Sequence, residues 1–143
     1  MPHQLMTMTA PVLALILWTF VMWAWMYWAR IPAMLAAKVT PEQMQSKDSL
    51  KLLPAKVNWV ADNYNHLHEQ PTVFYALCIY SHLVGVMDTI NVWLAWIYVA
   101  IRIVHSLVQA TVNVVAMRFY IFATGSLVLL AIAVRNALAL FGF

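Results

Sequence analysis

Polar and ionisable side chains recur at helical spacing along two otherwise apolar segments of this 143-residue chain. Within each segment they lie three or four residues apart, which places them on one face of an α-helix. Together the two faces offer carboxylate, imidazole, guanidinium and amide groups, which can bind a polar ligand, exchange protons or form ion pairs. The first face comprises Asn58, Asp62, Asn65, His66, Glu69 and Thr72, and the second comprises Arg102, His105, Ser106, Gln109 and Asn113.

The elements that must position these side chains are membrane-spanning helices. Hydrophobic residues make up 64% of the chain and charged residues only 9%, whereas soluble domains are roughly half apolar and about a quarter charged. Lipid must therefore cover most of the surface, and ~20 apolar residues suffice to cross it. We predict an all-α integral membrane protein that forms a single four-helix transmembrane bundle over residues 1–143, with spans at about residues 6–29, 55–87, 92–113 and 118–140 and a polar connection at 36–54.

The connection at 36–54 predicts the orientation of the bundle. Lysine-rich connections stay in the cytoplasm, so both termini are expected on the opposite side of a bacterial inner membrane. Thr40 and Gln43 have the spacing of a capping box, which predicts a short helix within the connection. Arg135 lies near the opposite face, where its long side chain can reach the interface. The lysines of this region are Lys38, Lys47, Lys51 and Lys56.

Glu69 and Arg102 are expected to lie at matching depths in the bilayer. Glu69 is ~21 Å along the second span, and Arg102 is ~17 Å from the end of the third span at the same face, at 1.5 Å per residue. Ionisable groups at this depth are costly unless they are paired or line a polar cavity. We therefore predict a Glu69–Arg102 ion pair, which either fastens the bundle or lines a functional pocket.

Several other chemistries fit the sequence less well. His66 and His68 are two residues apart and point in different directions on a helix, so no metal site is expected there. Haem held by two histidines remains a minor alternative. Cys78 follows an apolar pattern typical of a small buried hydrophobic residue. The formal net charge of +3 comes without a basic run, so nucleic acid is not an expected partner.

Three motifs, in this order, resemble the family of membrane-associated proteins in eicosanoid and glutathione metabolism (MAPEG), its bacterial members in particular. The first is the stretch from Asn63 to Leu77, with a glutamate followed by a proline on the second helix. The second is Arg102-Ile103-Val104-His105-Ser106, which is similar to the family's Arg-x-x-His-Ser/Thr motif. The third is Arg118 at the start of helix four.

The resemblance implies a homotrimer in which glutathione lies between neighbouring subunits near the cytoplasmic face. Members of the family conjugate glutathione to lipophilic electrophiles, reduce lipid hydroperoxides or isomerise a lipid endoperoxide. By analogy, Glu69 would hold the amino group of glutathione, and Arg118 would stabilise its thiolate with a hydrogen bond from Tyr120. The remaining candidate binding residues are Arg30, Asn65, His66, Arg102, His105 and Gln109.

The predicted activity is therefore a glutathione- or other thiol-dependent transferase or peroxidase that acts on a lipophilic substrate from the bilayer. Two alternatives stay open. Active members commonly carry arginine near the position of Asp62, and several have tyrosine at the position of Gln109. A binding or scaffold protein that kept the fold without the chemistry is therefore the first alternative. A small proton-coupled exporter that uses Glu69 is the second.

Overall fold

A computed structural model describes residues 6–44 and 52–142, which form α-helices joined by short connections. Lys47 and Lys51, which contributed to the predicted orientation, lie outside the described residues. We call the end of the bundle near residues 37–54 the connection side, and the opposite end, near residues 84–88, the terminal side. The helices are α1 (Thr9–Ala36), α2 (Pro41–Met44), α3 (Ala55–His66), α4 (Gln70–Leu83), α5 (Thr89–Thr111) and α6 (Val115–Leu140).

Helices α1, α5 and α6 are each long and apolar enough to cross a membrane. Helix α1 has 28 residues and runs past the predicted end of the first span near residue 29, continuing through Pro32 to Ala36. Pro32 cannot donate a hydrogen bond to the Trp28 carbonyl, but a helix tolerates one missing bond near its end. Helices α5 and α6 begin and end within three residues of the predicted bounds.

The second predicted span consists of two helices rather than one kinked helix. Helix α3 ends at His66, and α4 starts at Gln70 with Pro71 in its first turn. Glu69 lies between them with φ −93° and ψ −99°, outside the helical region. Pro71 has no N–H to give to the Leu67 carbonyl, and its fixed φ suits the start of a new helix. The segment predicted as one span at about residues 55–87 is therefore interrupted by a complete helix break before Pro71.

The predicted capping box is confirmed within the connection. The backbone N–H of Thr40 donates to Oε1 of Gln43 at 3.0 Å, and the N–H of Gln43 donates to Oγ1 of Thr40 at 3.3 Å. These reciprocal bonds satisfy two N–H groups that a helix start leaves without partners. They explain why a helix as short as α2 forms at this point.

Polar side chains on the terminal side of the bundle bond to one another. Ser81 donates to Oδ1 of Asn136 at 3.0 Å, and Asn136 donates to the Ile132 carbonyl at 2.9 Å. Arg135 donates from Nε to Oδ1 of Asn91 at 2.7 Å and from Nη2 to Oδ2 of Asp88 at 2.6 Å. Each of these groups therefore has a partner that fastens two helices together.

A second fastener lies at the level of the helix break. The Gln70 amide donates to Oγ of Ser126 at 2.7 Å and accepts from the Tyr98 hydroxyl at 3.2 Å. One side chain at the start of α4 thus joins α5 and α6. Because both ends of the Gln70 amide are bonded, its burial carries no penalty for unmade hydrogen bonds.

Candidate functional site

A cavity of about 200 Å³ lies between the end of α3, the middle of α5 and the start of α6. The His66 ring stacks on Phe122 with 5.3 Å between ring centroids and meets the edge of His105 at 5.1 Å. The helix break places His66 here, because it ends α3 beside α5 and α6. The cavity is lined by His66, His105, Val115, Arg118, Phe119 and Phe122.

Arg102 supports the wall of this cavity. Its side chain is 1% exposed, its guanidinium carbon lies 5.9 Å from the centroid of Phe122, and Nη2 donates to the His66 carbonyl at 3.2 Å. Nε and Nη1 have no hydrogen-bond partner among the described residues. A buried cation is costly when its donors are unsatisfied. The position of Arg102 therefore suits an anionic ligand.

The predicted Glu69–Arg102 ion pair is wrong. Oε2 of Glu69 instead lies 2.7 Å from Nδ1 of His66, and the Glu69 side chain is 68% exposed. The depth arithmetic assumed one continuous helix from Ala55 through Glu69. Because α3 ends at His66, Glu69 no longer follows the helical register that would have pointed it toward α5.

Arg118 lines the cavity from the start of α6. Its Nη1 donates to Oδ1 of Asn113 at 2.7 Å, and Nε has no partner in the described part of the chain. Asn113 lies just beyond α5 with φ +51°, a conformation that asparagine adopts more readily than most residues. This turn orients Arg118, so Asn113 positions the cation rather than belonging to the predicted helical face.

Further buried polar atoms without partners in the described ranges lie on the same half of the bundle. The α5 face was correctly predicted, since Arg102, His105, Ser106 and Gln109 are all buried. Asn63 of α3 is fully buried as well, although the sequence analysis did not select it. Asn63 lies three residues after Val60 and four before Leu67, so it shares their apolar face. This spacing could have identified Asn63 as a buried polar residue. These unpartnered atoms are Nδ2 and Oδ1 of Asn63, Nδ1 of His105, Oγ of Ser106 and Oε1 of Gln109, and one more, Nε1 of Trp18, lies on α1.

Three predicted site residues lie away from the cavity in the single chain. Asn65 is exposed on α3, Arg30 is half-buried on α1, and Tyr120 is 70% exposed on α6. The structure therefore gathers His66, Arg102, His105 and Arg118 and leaves these three apart from them. Their roles stay predictions. Within residues 6–44 and 52–142, no group of three or more His, Cys, Asp or Glu side chains could hold a metal ion.

Comparison with known protein families assigns this chain to a family. The model of the MAPEG family matches residues 8–138. The chain belongs to the MAPEG family. No curated protein and no solved structure is significantly similar to it. MAPEG proteins are helical membrane bundles, so the match and the three apolar spanning helices together establish an all-α integral membrane protein. The family includes glutathione transferases and peroxidases besides other members.

Proposed function

We propose that this MAPEG protein is a membrane-embedded transferase or peroxidase that uses glutathione, or another thiol, on a lipophilic electrophile or hydroperoxide. One observation carries the proposal. Arg118 lines the cavity and Arg102 lies behind its wall, against His66 and Phe122, and both keep buried N–H groups without partners among the described residues. Apart from Nε1 of Trp18 on α1, the other buried side-chain donors without partners in the described ranges lie on α3 and α5, which flank this cavity.

The residues present fit glutathione, a tripeptide with two carboxylates and a thiol. Arg102 would hold a carboxylate, since a guanidinium can donate two parallel hydrogen bonds to one. The amides of Asn63 and Gln109 offer further donors and acceptors for the peptide groups. Arg118 lines the cavity directly and would lie beside the sulfur. In this arrangement the arginines would face the anionic groups of glutathione, and the amide side chains would face its peptide groups.

The chain's own groups would favour the reactive form of the thiol. A thiol has a pKa near 8.5, and a neighbouring cation favours the thiolate; Arg118 would supply that cation. His105 lines the same cavity and would accept the thiol proton. Bound glutathione would supply a sulfur nucleophile that forms a bond to an electrophilic carbon as the leaving group departs, or that reduces a peroxide. Phe119 and Phe122 would receive the apolar substrate from the lipid.

We propose that the protein assembles as a homotrimer, as the family resemblance implies, and the outer face of α3 supports assembly. Asp62, Asn65 and Glu69 are exposed in the single chain, and α3 together with α4 is proposed to form the second span. Polar and charged groups facing lipid cost up to ~2.5–3.5 kcal/mol each on insertion scales. Neighbouring copies that cover this face would remove that cost and bring Asn65 and Glu69 toward a ligand between subunits. The connection side would face the cytoplasm, where glutathione is abundant.

Binding without turnover is the second candidate function, and the position of Tyr120 favours it. Tyr120 is 70% exposed, and the residues that line the cavity carry no hydroxyl group. In a protein of this kind the cavity would hold glutathione but would not activate it. Consumption of an electrophile therefore has to be measured separately from affinity.

Calorimetric titration of glutathione into the detergent-purified protein tests the proposal. We expect binding in the wild type, loss of binding in Arg118→Ala and retention in Arg135→Ala, which removes an arginine from the far end of the same helix. Ultraviolet absorbance of the thiolate should rise on binding only when Arg118 is present. Binding with electrophile consumption supports the transferase, and binding without it supports the second candidate. No binding at millimolar glutathione contradicts both candidates for glutathione and leaves only another thiol as the ligand.

A further inference from the structure

A second cavity, of about 240 Å³, lies on another side of the helix break, between α1 and α3–α4. Leu67 is twelve residues beyond Ala55, hence ~18 Å along the segment, near the middle of a ~30 Å hydrocarbon layer. Phe20 and Trp23 of α1 are exposed beside it, so the cavity opens sideways toward lipid. It is lined by Ile16, Thr19, Phe20, Trp23, Tyr64, Leu67, His68, Thr72 and Tyr75.

The polar groups of this cavity are hydroxyls and one imidazole. Its lining contains no Arg, Lys, Asp or Glu, in contrast to the cavity beside Arg118. The two threonine hydroxyls are already used, since Thr19 donates to the Leu15 carbonyl at 2.9 Å and Thr72 to the Glu69 carbonyl at 2.7 Å. A charged head group would therefore find no counter-charge in this lining.

His68 has a fixed tautomer. Its Nδ1 lies 2.9 Å from the Tyr64 carbonyl oxygen, which can only accept, so Nδ1 carries the proton. In the neutral ring, Nε2 is then an acceptor. The Tyr64 ring packs edge-on against His68 with 4.7 Å between centroids, and its hydroxyl can both donate and accept. The cavity thus offers one imidazole acceptor and two phenols, Tyr64 and Tyr75, in an otherwise apolar surrounding.

We propose that this cavity binds an uncharged membrane amphiphile that carries a hydroxyl or hydroperoxyl group. The ligand's O–H donates to Nε2 of His68, its oxygen accepts from the Tyr64 hydroxyl, and its chain packs against Phe20 and Trp23. The break between α3 and α4 creates the site, because it turns Leu67 and His68 out of a continuous helix. The site is separate from the arginine-lined cavity, and the proposal does not depend on glutathione.

Tryptophan quenching tests the proposal in nanodiscs of saturated phosphatidylcholine. The probe is ω-bromoundecanol, and bromoundecane is the matched compound without a hydroxyl. We expect the alcohol to quench the fluorescence of Trp23 at a roughly three- to tenfold lower mole fraction than bromoundecane does. This ratio corresponds to the free energy of about one net hydrogen bond. Trp23→Phe should remove that quenching. His68→Phe should reduce the preference for the alcohol, because only the bond from the Tyr64 hydroxyl remains, while His82→Phe, at the far end of α4, should behave as the wild type.

Equal quenching by the two compounds in the wild type would overturn the proposal, as would an unchanged preference in His68→Phe. Arg118→Ala should keep the preference, so failure of glutathione binding and failure of this site are distinguishable. Mass spectrometry of lipids extracted with the protein separates two sources of the ligand. A hydroxylated neutral lipid present with wild type and absent with His68→Phe indicates a resident lipid. An extract without one, together with hydroxyl-dependent quenching, indicates an exchangeable substrate.

Discussion

The backbone carbonyl of His66 accepts a hydrogen bond from Nη2 of Arg102 at 3.2 Å, so the last residue of α3 is held by the middle of α5. In a continuous helix this carbonyl would accept from the N–H of Gln70. Because of the break before Pro71, the carbonyl instead accepts from the Glu69 N–H at 3.4 Å and from the Arg102 guanidinium. Arg102 therefore stabilises the end of α3 while two of its nitrogens remain available for a ligand.

Arg102→Met should separate a ligand-binding arginine from a fastening one. Replacing a buried, incompletely paired cation with an apolar residue is often neutral for stability. Glutathione affinity should nevertheless fall at least about tenfold, because a charged hydrogen bond contributes about 1.5–3 kcal/mol. Arg135→Met should keep affinity and lower the free energy of unfolding by about 1–2 kcal/mol, because its bonds to Asn91 and Asp88 are lost. Calorimetry and thermal unfolding in detergent measure both. If the Arg102→Met protein is destabilised but binds glutathione normally, Arg102 has a structural role and does not bind the ligand.

Asn63→Leu should raise the free energy of unfolding while weakening glutathione binding. Both side-chain polar atoms of Asn63 are buried without partners among the described residues, and each such group costs about 1–3 kcal/mol. Leucine has the same branching at Cγ as asparagine and no polar atom that needs a partner. Asn136→Leu is the matched control, since Asn136 is bonded to Ser81 and Ile132 and its loss should destabilise the bundle. A destabilised Asn63→Leu protein with normal affinity would contradict this assignment.

The sequence predicts most of the fold because lipid imposes strong constraints on composition. The three apolar helices α1, α5 and α6 follow from hydropathy, the capping box of Thr40 and Gln43 follows from residue types at a fixed spacing, and the buried face of α5 follows from periodicity. The face of α5 was predictable because that helix is unbroken from Thr89 to Thr111. Helical spacing therefore placed Arg102, His105 and Gln109 together correctly.

Periodicity fails where the helix stops. Spacing from Asn58 to Glu69 predicted one polar face, but the helix break redirects Glu69 toward His66. Asn63 lies on the opposite, apolar face of α3 and is buried there. The partner of Arg135 was equally hidden, since Asp88 lies 47 residues away in sequence. Only the antiparallel packing of α5 and α6 brings these two residues together.

The Asp88–Arg135 pair should stabilise the bundle in a pH-dependent way. Partial burial alone would raise the pKa of Asp88, but the Asn91 N–H and the Arg135 guanidinium together hold that pKa below its ordinary value. A lowered pKa in the folded state means that the contribution is complete above the unfolded value of about 3.9 and is lost as pH falls further. Because both side chains are partly exposed, we expect less than about 1 kcal/mol.

Thermal unfolding of Asp88→Asn against the wild type measures this contribution, and asparagine retains the helix cap. The difference in unfolding temperature should be constant from neutral pH to about pH 5 and should shrink at lower pH, where Asp88 takes up a proton. A difference that grows on acidification, or one that is absent at neutral pH, would rule out the charged pair as a fastener.

Gly125→Ala should destabilise the contact between α5 and α6, because the added methyl group would crowd Ile101. A Cβ at this position would lie 3.2 Å from Cγ2 of Ile101 and 3.8 Å from Cε2 of Tyr98. The alanine gains about 1 kcal/mol of helix propensity, but overpacking costs about 1–3 kcal/mol, so a net loss of up to about 2 kcal/mol is expected. Ile101→Leu removes the Cγ2 branch. In a double-mutant cycle by thermal unfolding, Gly125→Ala should therefore be less harmful in that background. Additive effects would show that the crowding lies against Tyr98 or the α5 backbone, and that Ile101 does not limit how closely α5 and α6 approach.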